Sequence, residues 1–266
     1  MSARLRIAHS VVHRHAAPVG PSYHEARLTP STAPGQVALR TRLDVRPGGW
    51  QQVHGDCWGA QVTAFEVHEP CAELVVTATS TVEVDRAAAP PPGGSWELLR
   101  DRGATDAVAE FLDAGPQPPA GLVRRAWDAA ADGGSPDEVA VAVCRLARAA
   151  AGSAAHRAPG DAARAVAELA LGCLRALGLP ARWVSGYRHP RPDVAGEAVV
   201  VHPHAWVEWW AGGWRAWDPL LDAAPGDGHV VLARARGRSD VPALRSAHPG
   251  PRPPQVLVRV EMTRLP

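Results

Sequence analysis

Residues 202–219 read HPHAWVEWWAGGWRAWDP, and the expectations for the rest of the chain follow from this stretch. Polar and apolar residues alternate on both sides of Ala211-Gly212-Gly213, a pattern typical of two half-buried strands joined as a hairpin. With the turn centred near residue 211 or 212, His204 and Asp218 lie opposite or diagonal to each other, close enough for the carboxylate to accept a hydrogen bond from the imidazole. Such a pair is the base and orienting acid of a catalytic triad.

Composition excludes several classes of protein. The chain has 266 residues, enough for one large domain or two modest ones. Its net charge of +1 is not the strongly positive charge that is typical of a nucleic-acid binder. The N-terminus has no apolar signal region and no apolar run is long enough to span a bilayer, so we expect a cytoplasmic protein without membrane contact. The four cysteines are expected to be reduced thiols.

The N-terminal third predicts β-structure. We expect an antiparallel, sandwich-like or barrel-like unit in residues 1–86, followed by a linker at 87–95, where the sequence AAAPPPGGS is rich in proline and glycine. The alternating segments that predict its strands are 4–7, 37–45, 61–67 and 73–84.

Residues 96–266 predict helices followed by strands. Ser135-Pro136-Asp137-Glu138 has the pattern of a capping box at a helix start. A second helix is predicted from 161 to 177, ended by Gly178 and Pro180. The fold class predicted for the whole chain is therefore α+β. The further strands are expected at 181–187, 198–201, 229–233 and 255–263.

The order of these segments resembles that of the bacterial transglutaminase-like family. In that family an N-terminal β domain precedes a papain-like core. The resemblance implies thiol acyl chemistry on amides, a peptide or protein as partner, and no cofactor. The residues that carry it are 23–30 (YHEARLTP), 58–67 (WGAQVTAFEV) and 80–84 (STVEV) in the β domain, and 169–187 (LALGCLRALGLPARWVSGY), 204–210 (HAWVEWW), 217–219 (WDP) and 240–242 (DVP) in the core.

The chain departs from this family at the nucleophile. The family's thiol lies in a motif close to G-V-C-Q-D-F-A-H-L-A-L-G, and alignment on residues 169–172 places Ala163 at the cysteine. The resemblance carries His204 and Asp218 over as triad residues but supplies no thiol. We therefore expect a pseudoenzyme with the family's fold, acting as a non-catalytic binding or partner module. The alternative is an active cysteine-type amidase, protease or transglutaminase with a displaced nucleophile.

Other candidate residues have simpler interpretations. Cys173 lies ten residues beyond Ala163 on the same predicted helix, about 15 Å away, and is expected in the core, as is Cys144. His202 and His204 could share one strand face and bind a metal, but the family resemblance favours a triad base. Two His-x-x-Cys pairs have the short spacing of zinc ligands and are more simply loop residues of the β unit; they are His54, Cys57, His68 and Cys71.

Overall fold

The structure is a computed structural model that describes residues 2–85, 93–113, 115, 117–152, 160–191, 194–249 and 253–266. Most of the predicted linker at 87–95 lies outside these residues. The strands are β1 (Ala3–Val19), β2 (Ser22–Ala26), β3 (Gln36–Arg46), β4 (Gln51–Gly55), β5 (Gln61–Val67), β6 (Cys71–Val84), β7 (Ala181–Arg188), β8 (Ala198–Val201), β9 (His204–Trp210), β10 (Trp214–Trp217), β11 (His229–Ala235), β12 (Leu244–Ala247) and β13 (Gln255–Leu265). The α-helices are α1 (Trp96–Arg100), α2 (Arg102–Thr105), α3 (Ala120–Ala131), α4 (Pro136–Ala151) and α5 (Asp161–Ala176).

The first sheet joins the two ends of the chain. Its strand order is β3-β6-β1-β13-β8, and all neighbours are antiparallel. The C-terminal strand β13 pairs with β1 from Arg4↔Leu265 to Arg14↔Gln255. Strands from both sides of the predicted linker therefore share this sheet.

Two further sheets pack against the first. The second sheet, β12-β2-β5-β4, contributes Phe65 and Val67 to an apolar cluster that also contains Val11 and Leu74 of the first. The third sheet, β10-β9-β7-β11, meets the other end of the first sheet through a cluster that contains Tyr187. The antiparallel β-structure predicted for the N-terminal region is confirmed, and β8, β12 and β13 from the C-terminal part complete its two sheets. The second and third sheets pack at different ends of the first.

Helices α5 and α4 pack on the third sheet, and α3 packs on these two helices; together they form the largest apolar cluster. The helix α4 starts as its sequence predicts: the Ser135 side chain accepts from the Glu138 backbone N–H, and the Glu138 carboxylate accepts from the Ser135 backbone N–H. The 3₁₀ helix Asp106–Leu112 precedes α3. No helix in the described ranges is both long and apolar enough to cross a membrane.

Because two histidines of the first and second sheets are buried, we expect the protein to lose stability in mild acid. His9 and His24 are 1% and 2% exposed, and burial lowers the pKa of each to about 4. Neighbouring histidines add to this effect at His24. Because the unfolded chain binds these protons near pH 6.5 and the folded chain does not, stability is present at neutral pH and is lost as pH falls. We expect the free energy of unfolding to fall by about 2 kcal/mol per histidine between pH 7 and pH 5.

Urea unfolding at a series of pH values measures this loss. The variant His24→Gln should flatten the profile, whereas His68→Gln should leave it unchanged, because the His68 side chain is mostly exposed. A wild-type profile that is flat between pH 7 and pH 5 would contradict the prediction.

Candidate functional site

The hairpin of β9 and β10 brings His204 and Asp218 together. Trp217 pairs with Val207, so Asp218 falls opposite Trp206 and diagonal to His204. The His204 Nε2 lies 2.5 Å from the Asp218 Oδ2. The hydrogen bond predicted from the alternating sequence is therefore confirmed, with the diagonal geometry.

Asp218 is a fully buried acceptor of four hydrogen bonds. Its side chain is 0% exposed, and its Oδ1 accepts from the backbone N–H groups of Leu220 and Leu221 at 3.0 and 3.2 Å. Its Oδ2 accepts from His204 and, at 3.2 Å, from His229 Nε2. Burial alone would raise the pKa of Asp218, but the bonds from His204 and His229 outweigh it and hold that pKa well below its usual range. The group is thus a fixed carboxylate that orients the His204 ring.

His229 is the member of this network that the sequence did not predict. It is the first residue of β11, and its Nδ1 accepts from the Gly226 backbone N–H at 3.1 Å. Its proton therefore resides on Nε2, which donates to Asp218. The sequence signal was weak, a histidine at the start of an apolar strand, separated from Asp218 by a loop without periodicity.

In the part of the chain that the structure describes, His204, Asp218 and His229 are the one group whose ligand atoms lie close enough to hold a metal, within 4.8 Å of one another. Hydrogen bonds from His204 and His229 already satisfy the shared carboxylate oxygen.

The two His-x-x-Cys pairs were the other candidate metal ligands. His54 is exposed on β4 and His68 bonds Glu66 at 3.2 Å, so these residues with Cys57 and Cys71 do not gather into a site.

The helix α5 begins beside the residue before His204. Gly160 caps the helix with φ 88°, a conformation that glycine adopts readily. A Cβ at Gly160 would lie 3.0 Å from His202 Cβ and 3.2 Å from the Pro203 oxygen. Ala163 is the third residue of this helix and is 1% exposed. The position predicted to correspond to the family thiol is thus on the first helical turn, next to the strand that carries His204.

The cysteines lie elsewhere. Cys144 and Cys173 are buried in the cluster beneath the third sheet, and burial raises the pKa of Cys173 to about 11 and that of Cys144 still further. Cys57 is exposed and Cys71 is partly buried on the N-terminal sandwich. The core position predicted from helical spacing is confirmed, and the raised pKa keeps both thiols in the protonated, unreactive form.

A cleft of about 730 Å³ opens at His204. Residues from one face of α5 line one wall of the cleft, and the segment 236–243 lines another. Residues of β7 and β1 form its floor. Guanidinium groups are prominent in the wall, and most of them are paired: Arg236 with Asp240 at 3.2 Å and Arg238 with Glu168 at 3.8 Å. The lining residues are His9, Arg27, Asp113, Gly115, Arg164, Glu168, Leu171, Arg175, Trp183, Ser185, Gly186, Pro203, His204, Leu232, Arg236, Gly237, Arg238, Ser239, Asp240, Val241, Pro242 and Ala243.

A buried ion-pair network holds β9 in register. The Glu208 carboxylate is nearly inaccessible and accepts from Arg182 Nε of β7 at 2.6 Å and from Arg234 Nε of β11 at 3.0 Å. These bonds join β9 to β7 and β11, which also carry residues of the site. The network therefore fixes the position of the strand that carries His204.

Close packing explains why a glycine, Gly186, is the middle residue of the SGY segment in β7, where the sequence resembles the family. This glycine pairs with His204, and a Cβ at this residue would lie 2.0 Å from the Val230 oxygen and 2.8 Å from a ring carbon of Trp206. Because the backbone of β11 would have to move, Gly186→Ala is expected to destabilise the protein by about 3 kcal/mol in urea unfolding. The matched control is Gly55→Ala, where a Cβ meets nothing within 4 Å. Equal stabilities of the two variants would contradict this account.

Comparisons with known proteins agree with this architecture. Residues 5–83 match the bacterial transglutaminase-like N-terminal region, and residues 107–219 match the transglutaminase-like superfamily. An uncharacterized protein of Mycobacterium leprae is 32% identical over 98% of this chain and 99% of its own length. An uncharacterized protein of Mycobacterium tuberculosis is 30% identical over 91% of this chain and 86% of its own length. A protein-glutamine gamma-glutamyltransferase of Pseudomonas aeruginosa is 46% identical over 57 residues, which are 20% of this chain and 8% of that protein.

The fold is shared with a crystal structure from Cytophaga hutchinsonii. That protein, provisionally named a cysteine protease, superposes with a TM-score of 0.74 at 17% identity, covering 100% of this chain and 92% of that chain. The fold, with His204 and Asp218 on one hairpin beside the start of α5, is that of the papain-like class. Within that class, the chain belongs to the transglutaminase-like superfamily and carries the bacterial transglutaminase-like N-terminal region. The resemblance and the α+β fold class inferred from sequence are confirmed.

Proposed function

We propose that this protein binds a peptide or protein segment in the cleft beside His204 and does not transfer acyl groups. The observation that carries the proposal is Ala163. This residue stands on the first turn of α5, whose cap contacts the segment leading into His204, and it aligns with the family's cysteine. A methyl group cannot form the thioester on which acyl transfer depends.

The arrangement of the thiols supports the loss of activity. None of the four cysteines, all of which the structure describes, is among the residues that line the cleft. The two nearest in the core, Cys144 and Cys173, have pKa values raised by burial. Removal of a triad nucleophile costs about six orders of magnitude in turnover, so His204 and Asp218 alone do not sustain amidase chemistry.

The ligand class follows from the cleft. A volume of about 730 Å³ accommodates a side chain with its neighbouring backbone. Trp183, Leu171 and Leu232 provide apolar surface, and arginine side chains also line the cleft. The Pseudomonas aeruginosa relative is named for action on protein glutamine, and we therefore propose a glutamine-containing segment as the ligand.

The test combines binding with turnover. A fluorescein-labelled glutamine-containing peptide should bind wild type in fluorescence anisotropy, with no ammonia release above the buffer in a coupled assay. Ser239 is exposed at the edge of the cleft, so Ser239→Trp should obstruct it and weaken binding at least about tenfold. The matched control Arg40→Trp, exposed on the first sheet away from the cleft, should bind as wild type.

Each failure has a separate meaning. Ammonia release by wild type contradicts the loss of activity. Equal affinity of wild type and Ser239→Trp contradicts binding in the cleft.

The alternative is an active amidase with a displaced nucleophile. It is favoured by the preserved His204–Asp218 pair and by two hydroxyls, Ser185 and Ser239, that line the same cleft. A fluorophosphonate probe distinguishes the two functions. Labelling of either serine that disappears in His204→Ala would establish the enzyme, whereas absence of labelling supports the binding protein.

A further inference from the structure

A second group of histidines lies outside the cleft, at the end of the sandwich formed by the first and second sheets. We infer that His13, His15 and His248 form a binding site for a divalent transition metal such as Zn²⁺. The inference is independent of the proposed function, because none of these residues lines the cleft.

The spacing on β1 suits a metal. His13 and His15 are separated by one residue on a strand, and such residues point to the same face. Three histidines with an open fourth position are one of the ligand sets of protein zinc sites. The third here is His248, which directly follows β12; that strand pairs with β2 up to Ala247↔Tyr23. The rings of His15 and His248 meet edge to face, with centroids 4.8 Å apart.

His13 presents an unpartnered nitrogen at this place. The residue is 6% exposed, and no hydrogen-bond partner among the described residues reaches its Nδ1. A buried polar atom without a partner is costly, and a metal ion would satisfy it. The three rings are not among the described groups whose ligand atoms already lie close enough to hold a metal, so coordination requires rotation of His15 and His248. Both side chains are partly exposed.

The surroundings select the kind of metal. His13 and His248 line a cavity of about 440 Å³ whose other residues are Ser246 and the apolar Val11, Ala243, Leu244, Pro253, Pro254, Val256 and Val258. With no carboxylate in this lining, the ligand set is neutral nitrogen, which suits Zn²⁺, Cu²⁺ and Ni²⁺ rather than Ca²⁺ or Mg²⁺. Burial and neighbouring histidines lower the pKa of both His13 and His15. The rings are therefore in the neutral form that binds metal at pH 7.

His24 supports the site without joining it. Its Nε2 is bonded to Ser22 Oγ at 2.9 Å and its Nδ1 to Ser246 Oγ at 2.8 Å, so neither nitrogen is free for a metal. Its ring stacks on Phe65 with centroids 4.8 Å apart. The hydrogen bond with His24 therefore fixes the position of the Ser246 hydroxyl, which lines the cavity.

The experiment uses Zn²⁺ itself with the full chain. Isothermal titration calorimetry of wild type with ZnCl₂ at pH 7.5 should give one site, and Co²⁺ should give the visible absorption of a low-coordinate nitrogen site. His15→Ala and His248→Ala should each weaken binding at least about tenfold, since losing even an outer-shell partner costs 10–100-fold. Both positions are partly exposed, so the variants are expected to fold, which circular dichroism verifies.

Two controls locate the ion. His204→Ala removes the other group of possible ligands, and His68→Ala removes an exposed histidine of the same sandwich; neither should change the affinity. Absence of Zn²⁺ binding to wild type, or binding unaffected by His15→Ala and His248→Ala, overturns the inference. Loss of Zn²⁺ binding in His204→Ala would place the ion at the His204, Asp218 and His229 group. This result would also overturn the inference.

Discussion

Replacing Ala163 by cysteine is expected to give this protein a reactive thiol and a measurable amidase activity. The thiol would stand on the third residue of α5, beside the segment leading into His204. The positive end of the helix lowers a thiol pKa, and the imidazole held by Asp218 accepts its proton. Because loss of a triad nucleophile costs about 10⁶-fold, we expect ammonia release from a glutamine-containing peptide to rise at least about a hundredfold in Ala163→Cys.

Three variants make this result interpretable. Cys57→Ser provides the background, because Cys57 is the exposed native thiol and would react with iodoacetamide. Ala167→Cys places a thiol one turn further along α5, inside the apolar cluster, where alkylation should be slow. Adding His204→Ala to Ala163→Cys should remove the hydrolysis. If Ala163→Cys reacts no faster than Ala167→Cys, residue 163 does not face the imidazole and the alignment on which the proposed function depends is wrong.

The hairpin shows how far sequence reasoning can reach. Alternation on both sides of Ala211-Gly212-Gly213 fixes which residues share a face, and a short turn fixes the register to within one or two residues. That was enough to place His204 against Asp218. The helix starts were equally local, since the capping box of Ser135 and Glu138 depends on four consecutive residues.

Features that depend on distant partners were not predicted. Alternation in residues 255–263 indicated a strand but not its neighbours, which are β8 and, at the opposite end of the chain, β1. Glu208 occupies a strand position that alternation describes as polar, yet it is buried because Arg182 and Arg234 converge on it. His229 reaches Asp218 across a loop whose shape no periodic pattern encodes. These contacts are set by how the sheets pack.

The His204–Asp218 network has a structural role that does not depend on a nucleophile. The buried Asp218 carboxylate joins the end of β10, the turn at Leu220 and Leu221, and the start of β11. Its depressed pKa means that this stabilisation is present at neutral pH and is lost only in strong acid, as the carboxylate becomes protonated. Under the proposed function, this structural role is sufficient reason for the pair to be retained.

Asp218→Ala should accordingly destabilise the protein by about 3–5 kcal/mol, because removal of one buried partner leaves four donors without an acceptor. Asp218→Asn, which keeps an acceptor oxygen for the Leu220 and Leu221 N–H groups, should cost less. Urea unfolding at pH 7 measures both. The matched control is Asp44→Ala, which removes an exposed ion pair with Arg42 and should cost less than about 1 kcal/mol. If Asp218→Ala is as stable as Asp44→Ala, the network does not hold the fold together, and its retention points to catalysis instead.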